Sequence, residues 1–297
     1  MELLNRLVSL QGSRRQLLAQ ELIKRSKVLS STSPQPLAAG TTNRTKDKYV
    51  EFYNEVSRRL DASPLGDLAL FLNYGYVSNG EPQYARCDVP VHLPNRSSVK
   101  LVLEVIGACP VDGRRILDIG CGRGGTIDVL RRFFRPAALV GVDLSSNAIA
   151  FCARAHDALF CVADAENLPF PAESFDIVTN IESSHSYPDL DGFLSGVRRI
   201  VRPGGCFLYT DLLPHDHWGA VRERLRSLDL FIQHDRDITG NVILSCDAIS
   251  KLRADIFSDA RDRQVVDQFL ASPGSDVYRT MDQRTFTYRI LHALAAE

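Results

Sequence analysis

The chain of 297 residues contains no apolar run near the ~20 residues needed to span a bilayer. It also lacks charge of one sign. Against 36 acids stand 35 lysines and arginines, for a net charge of -1, so nothing in its field favours nucleic acid or an anionic membrane as partner. The N-terminus, MELLNRLVSLQGSRRQ, has neither a continuous apolar core nor a small-residue cleavage site, which excludes a secretory signal. The seven cysteines form no C-x-x-C pair and are odd in number. That excludes a disulfide framework and a zinc site built on such pairs, and reduced thiols in a cytoplasmic protein are the expectation. No segment repeats. Methionine is scarce, with only Met1 and Met281, which is compatible with a domain cut from a longer chain.

What is present divides at about residue 95. Residues 3–29 show helical periodicity, and 30–45 are rich in Ser, Thr, Pro and Gly, a linker texture. A second helical pattern runs from Lys46 to about Leu60, and 46–95 as a whole reads as a helical lid. From Arg114 onward short apolar runs alternate with helical ones: RRILDIG, TIDVLRRFF, ALVGVDL, SNAIAFCARAH, ALFCVADA, FDIVTNI, LDGFLSGVRRIV and CFLYTDLL. That alternation predicts an α/β fold with a mostly parallel sheet covered by helices on both faces. Two further strand-like runs, 228–235 and 285–294, flank an insertion with helical periodicity at about 247–283. The resulting division is 1–45, 46–95 and 96–297.

The stretch ILDIGCGRGG (116–125) is the richest in chemistry. An apolar strand runs into Gly120, Gly122 and Gly124, and a helix follows, whose N-terminus offers free N–H groups. The spacing is G-x-G-x-G, not the G-x-G-x-x-G of pyrophosphate-binding turns. Asp118 precedes the first glycine by two residues; it would repel a phosphate and suits an ammonium group. Asp143 ends the next strand, roughly twenty residues after the glycines, where a carboxylate grips ribose hydroxyls. Asp164 ends the third strand and can accept from an exocyclic amine, and Ala165 beside it can cover a purine. Ribose, amine and adenine sites without a phosphate site describe S-adenosylmethionine.

On these motifs, with FDIVTNIESSHSYPD and VRPGGCFLYTDLL in the same order and spacing, residues 95–213 resemble the class I S-adenosylmethionine-dependent methyltransferases. The resemblance implies a Rossmann-like sheet of seven strands with an N-terminal helical lid, the last strand antiparallel and inserted beside the edge. By position it implies that Asp118 neighbours the methionine ammonium and that Gly120, Cys121 and Gly122 line the cofactor. Asp143 holds the ribose, Leu144 covers the adenine, and Asp164 and Ala165 bind its amine. Asn180 and Ile181 lie under the methionine portion. The product would be S-adenosylhomocysteine.

The acceptor is a finer question. FLNYGYVSN (71–79) resembles the lid turn of methyltransferases acting on lipid-like, polyketide and alkaloid molecules, which places Asn73, Tyr74 and Tyr76 near the methionine end. NIESSHSYPDL resembles methyltransferase domains of modular polyketide synthases, and bacterial enzymes that O-methylate long-chain ketols. SLQGSRRQLLAQELIKRS resembles the helical linkers of such synthases. An aliphatic hydroxyl holds its proton far above neutral pH and needs a base within hydrogen-bond reach. His185 stands after the fourth strand, where open α/β sheets place ligands, and Glu182 is placed to orient it as the carboxylate of a triad does. Tyr187 and Trp218 are candidate substrate walls; Arg86, His92 and Asn95 have position alone in their favour. His215 and His217, two apart near Asp211, form no further ligand pattern, and no metal is expected. The expectation is O-methylation of a β-hydroxyl, or enolised β-keto oxygen, of an acyl chain on an acyl carrier protein, beside neighbouring synthase domains and without nucleic acid or membrane. The alternatives are C-methylation next to a thioester, a standalone O- or N-methyltransferase on a lipid or alkaloid, and a silent scaffold domain.

Overall fold

The computed structural model describes residues 42–62, 66, 69–80, 87–253 and 271–297. The expected helix at 3–29, Arg86, and part of the 247–283 insertion lie outside the described residues. Seven strands form one sheet in the order β3-β2-β1-β4-β5-β7-β6. They are β1 (Arg115–Ile119), β2 (Ala138–Asp143), β3 (Leu159–Val162), β4 (Phe175–Ile181), β5 (Val201–Pro214), β6 (Leu230–Asp237) and β7 (Phe286–Ala295). The first five pair in parallel. β7 inserts antiparallel between β5 and β6, as the resemblance implies.

The central strands are short because both faces are covered. In β4, FDIVTNI, every residue is buried, the near-continuous apolar run expected of a parallel strand between two helical layers. Side chains alternate across the sheet: Ile116 and Ile177 enter one core, Leu117, Ile119 and Val178 the other. Helices α2 (Arg96–Ile106) and α3 (Gly125–Phe133) contribute to the first core. Helices α5 (Leu190–Ile200) and α6 (His217–Ser227) contribute to the second. Helix α4 (Ser146–Ala155) is capped by Ser145, whose side chain accepts from the Ala148 amide. α7 (Thr239–Arg253) begins eight residues before the stretch expected as an insertion, and α8 (Asp276–Asp282) lies within it.

The lid is a single long helix, α1 (Thr42–Asp61), which begins inside the stretch read as linker. Residues 69–78 carry no regular secondary structure apart from a bend at Asn73. α1 is stitched to three loops at the C-terminal ends of the strands. Asn54 Oδ1 accepts from Ser145 Oγ at 2.8 Å and from the Asn147 amide at 3.2 Å. Tyr53 OH lies 3.4 Å from Ser186 Oγ. The third tie is Arg123, inside the glycine turn and only 1% exposed.

The Arg123 guanidinium donates to Ser57 O and Oγ, to Gly66 O, to Ala69 O and to Asp61 Oδ1 at 2.7–3.2 Å. Its carbon sits 3.6 Å from the Phe151 ring centroid, a cation–π contact. Removing it strands buried carbonyls that then lack a donor. Arg123→Met is expected to lower unfolding free energy by about 3 kcal/mol, read as a lower midpoint in urea; an unchanged midpoint refutes the stitching role.

Candidate active site

The C-terminal ends of β1 to β4, with α1 above them, enclose a cavity of about 660 Å³, within the range of small-molecule sites. Its floor is the glycine turn. Gly120 has φ +69°, and a Cβ there would stand 2.0 Å from Ser183 Oγ. No side chain fits, because the loop after β4 packs directly on the turn. Gly122, at φ +50°, has nothing within 4 Å of a would-be Cβ, so its backbone is bare toward the cavity.

Asp143 lines this cavity with each oxygen fixed once. Oδ2 accepts from the Gly122 amide and Oδ1 from the Ser145 amide, both at 2.8 Å. Each oxygen keeps a lone pair for an outside donor, which is what a ribose diol supplies. Leu144, Cys121, Gly120, Ala165, Ile181, Tyr74 and Tyr187 also line the cavity. Asp164 lines it too, but Lys46 of the lid reaches it: Nζ donates to Asp164 Oδ2 at 2.8 Å and also pairs with Glu166.

Four sequence expectations are displaced. Asp118 is buried one layer behind the wall, where Thr179 Oγ1 donates to its Oδ1 at 2.7 Å. Burial pushes its carboxyl up to about 7, and Oδ2 has no partner among the described residues. Asn180 also lies behind the wall; its Nδ2 donates to Ile119 O and Ser183 Oγ at 3.0 Å and to Tyr187 OH at 3.2 Å. Tyr76 is 2% exposed and off the cavity, its amide bonded to Ser97 O. Trp218 is a core residue, Nε1 donating to Thr287 O at 3.0 Å. Its helix turns inward because Trp218, Val221 and Leu225 share one buried face, so it is no substrate wall.

A fifth correction concerns the partner of His185. After β4, Glu182 adopts φ +55° and swings the chain into a 3-10 turn, Ser184–Ser186. This brings His185 Nδ1 to 2.7 Å from Asp211 Oδ1. Asp211, not Glu182, is the carboxylate that holds the ring. Asp211 is wholly buried and takes four donors: His185 Nδ1 and the Leu212 amide on Oδ1, Ser184 Oγ and the His185 amide on Oδ2. The bond assigns the Nδ1 proton and leaves Nε2 toward the cavity, where 36% of the His185 side chain is exposed. Burial alone would lower its pKa, but the charge of Asp211 more than offsets this and lifts it to about 9.

Glu182 has a different set of contacts. Its Oε2 accepts from Tyr288 OH at 2.6 Å and from the Tyr74 amide at 3.1 Å. The side chain lines the cavity. Burial pushes its pKa up to about 8, against the pull of Tyr288, Tyr74 and His185. Among the described residues, no group of three or more His, Cys, Asp or Glu is placed to hold a metal, and no helix is long and apolar enough to cross a membrane.

The cavity thus brings together the Asp143 carboxylate, the bare glycine turn and His185, which is held from behind by Asp211. A family model described as "Methyltransferase domain" matches residues 117–209. The fatty-acid O-methyltransferase of Mycolicibacterium smegmatis is 35% identical over 252 residues, covering 80% of this chain and 86% of that protein. The phthiotriol/phenolphthiotriol dimycocerosates methyltransferase of Mycobacterium tuberculosis is 31% identical over 261 residues, covering 85% and 93%. The chain belongs to the class I S-adenosylmethionine-dependent methyltransferases, and it is an enzyme using that cofactor.

Two solved structures share the fold. The [4+2]-cyclase SpnF matches with a TM-score of 0.65 at 21% identity, covering 89% of this chain and 99% of that one. Geranyl diphosphate C-methyltransferase from Streptomyces coelicolor A3(2) matches with a TM-score of 0.61 at 17% identity, covering 89% and 100%. The residues present fit the cofactor. Asp143 keeps acceptor capacity toward the cavity that a ribose diol would fill, and the bare Gly122 backbone would admit close approach.

Proposed function

We propose that this enzyme methylates an oxygen atom of a lipid-like acyl acceptor, with His185 positioned by Asp211 to take or hold the proton at that oxygen. The observation that carries it is the 2.7 Å bond between His185 and the wholly buried Asp211 at the wall of the cofactor cavity. The cofactor supplies a methyl group on a sulfonium, an electrophile that needs no activation. The chain therefore has to align the nucleophile and exclude water. A hydroxyl acceptor would have to shed its proton on methylation, and the neutral His185 Nε2 is the group placed to receive it. Tyr49, Val50, Phe52, Tyr53, Leu70 and Phe71 give the lid side of the cavity an aromatic and aliphatic surface suited to an acyl chain.

Both mycobacterial relatives carry names of enzymes acting on lipids. They support a lipid-like acceptor, one of the alternatives among the sequence expectations, over a polyketide intermediate. A β-hydroxyacyl chain delivered by a carrier protein, with neighbouring synthase domains, is the narrower form of the proposal and rests on the resemblances of residues 180–190 and of the stretch SLQGSRRQLLAQELIKRS. The test is mass spectrometry of products from a long-chain fatty acid, a free 3-hydroxy fatty acid, and the same chain loaded on a carrier protein. Methyl ester or methyl ether is the expected product. Transfer to carbon or nitrogen alone, or to none of the three, overturns the proposal.

A further inference from the structure

Once an oxygen acceptor is assigned to His185, as proposed above, one cavity group remains unused by that chemistry. Glu182 has one oxygen spoken for and one free. Oε2 takes both the Tyr288 hydroxyl and the Tyr74 amide. Oε1 has no hydrogen-bond partner among the described residues, yet it is not sealed in the core, since the side chain faces the cavity. A non-glycine residue at φ +55° is unusual. The Glu182 amide donates to Thr210 O at 2.8 Å, so the turn is locked and the side chain has one place to go. Such a conformation, at a cavity wall, points to a role beyond packing.

We propose that Glu182 is a specificity-determining residue: its Oε1 binds the second oxygen of an acceptor whose first oxygen sits at His185. The acceptor class is then a chain with two oxygens close together, a carboxylic acid or a 3-oxygenated acyl group, and not a simple long-chain alcohol. The carboxyl groups of Asp211, buried behind the cavity wall, and of Glu182, on it, are set apart by their surroundings, the pattern by which such sites divide roles. Asp211 has four donors, two on each oxygen, and is fully engaged in holding the His185 ring and its turn. Glu182 has two donors, both on Oε2, and holds its proton at neutral pH. That proton must lie on Oε1 and makes it a donor. A donor left unmet by its ligand costs affinity, so an acceptor with only one oxygen is penalised.

The test is calorimetric binding to the S-adenosylhomocysteine-saturated enzyme, with palmitic acid and 1-hexadecanol as probes. Wild type is expected to bind the acid at least about tenfold more tightly than the alcohol, and this preference should fade as pH rises through about 8, because ionised Glu182 no longer donates and repels a carboxylate. Glu182→Gln keeps a donor and should keep the preference, now without the change near pH 8. Glu182→Ala should lose most of the preference, keeping only the part that the charged His185 ring gives to a carboxylate, while alcohol binding changes little. An alanine variant that keeps the preference, or that weakens both probes equally, overturns the proposal, as does a wild type that binds both alike. Binding is read apart from turnover. Selective binding of the acid with no methyl transfer to any oxygen of the three acceptors above would sink the proposed function and leave this role standing.

Discussion

His185→Ala lowers kcat by about 10²–10⁴-fold with a hydroxyl acceptor, the usual range for loss of a general base, while affinity for S-adenosylmethionine stays within a few-fold. The second half follows from geometry. His185 contacts Asp211 and the loop after β4, whereas Asp143, the expected ribose ligand, is held by Gly122 and Ser145. Single-turnover kinetics beside calorimetry separates the two quantities. A His185→Ala enzyme with full turnover refutes the assignment; one that no longer binds cofactor shows the loop to be structural.

The pH profile sharpens this result, because Asp211 raises the His185 pKa to about 9. At neutral pH the resting ring is therefore an imidazolium. A hydroxyl acceptor needs the neutral ring, so kcat/KM should rise with pH and level off above about 9. A carboxylate acceptor is already a nucleophile and is attracted by the charged ring. With it, kcat/KM should hold steady and fall above about 9. The direction of the limb thus reports which oxygen is methylated. Asp211→Asn removes the raising charge, leaves burial to lower the pKa, and moves either limb toward acid. It also leaves a neutral side-chain amide facing the donors that the Asp211 carboxylate satisfies, so a lower kcat is expected together with the displaced limb. A limb that stays in place excludes Asp211 as the cause.

Most of the sheet and cofactor wall is legible in the sequence because those signals are local. Short apolar runs separated by helical periods require a parallel sheet, and a strand running into G-x-G-x-G reads directly as a turn bare toward a ligand. Asp143 is legible by its spacing from that turn. Asp211 reads only as a neighbour of His215, because its role depends on strand pairing. Register sets Ile181 opposite Thr210, so Asp211 falls just past the strand end beside Glu182, and the 3-10 turn folds His185 back onto it. A parallel register between the fourth and fifth strands is the signal that could have found it. Arg123 looks like any residue between two glycines; nothing local says that four lid groups converge on it. Trp218 and Tyr76 fail as site residues for the opposite reason. Aromatic side chains serve the core as readily as a cavity, and only the packing of α6 and of the 69–80 segment decides between them.

Asp143→Ala is expected to weaken S-adenosylmethionine binding by about 10²–10⁴-fold. Two bonds from a ribose diol to one carboxylate are charge-assisted, each worth about 1.5–3 kcal/mol. Since burial raises the Asp143 pKa and the amides of Ser145, Gly122 and Leu144 oppose that rise, the protein has already met much of the cost of holding this anion in place. Asp143→Asn tests the charge alone: its shape is retained, one oxygen becomes an NH₂ facing the Gly122 or Ser145 amide, and about tenfold or more of the affinity should go. Calorimetry with S-adenosylhomocysteine checks both variants without any acceptor. If the alanine variant binds within threefold of wild type, the ribose is held elsewhere in the cavity. The grip on the nucleoside would then fall to the end of the third strand, where opening the Lys46–Asp164 pair frees Asp164 for the adenine amine.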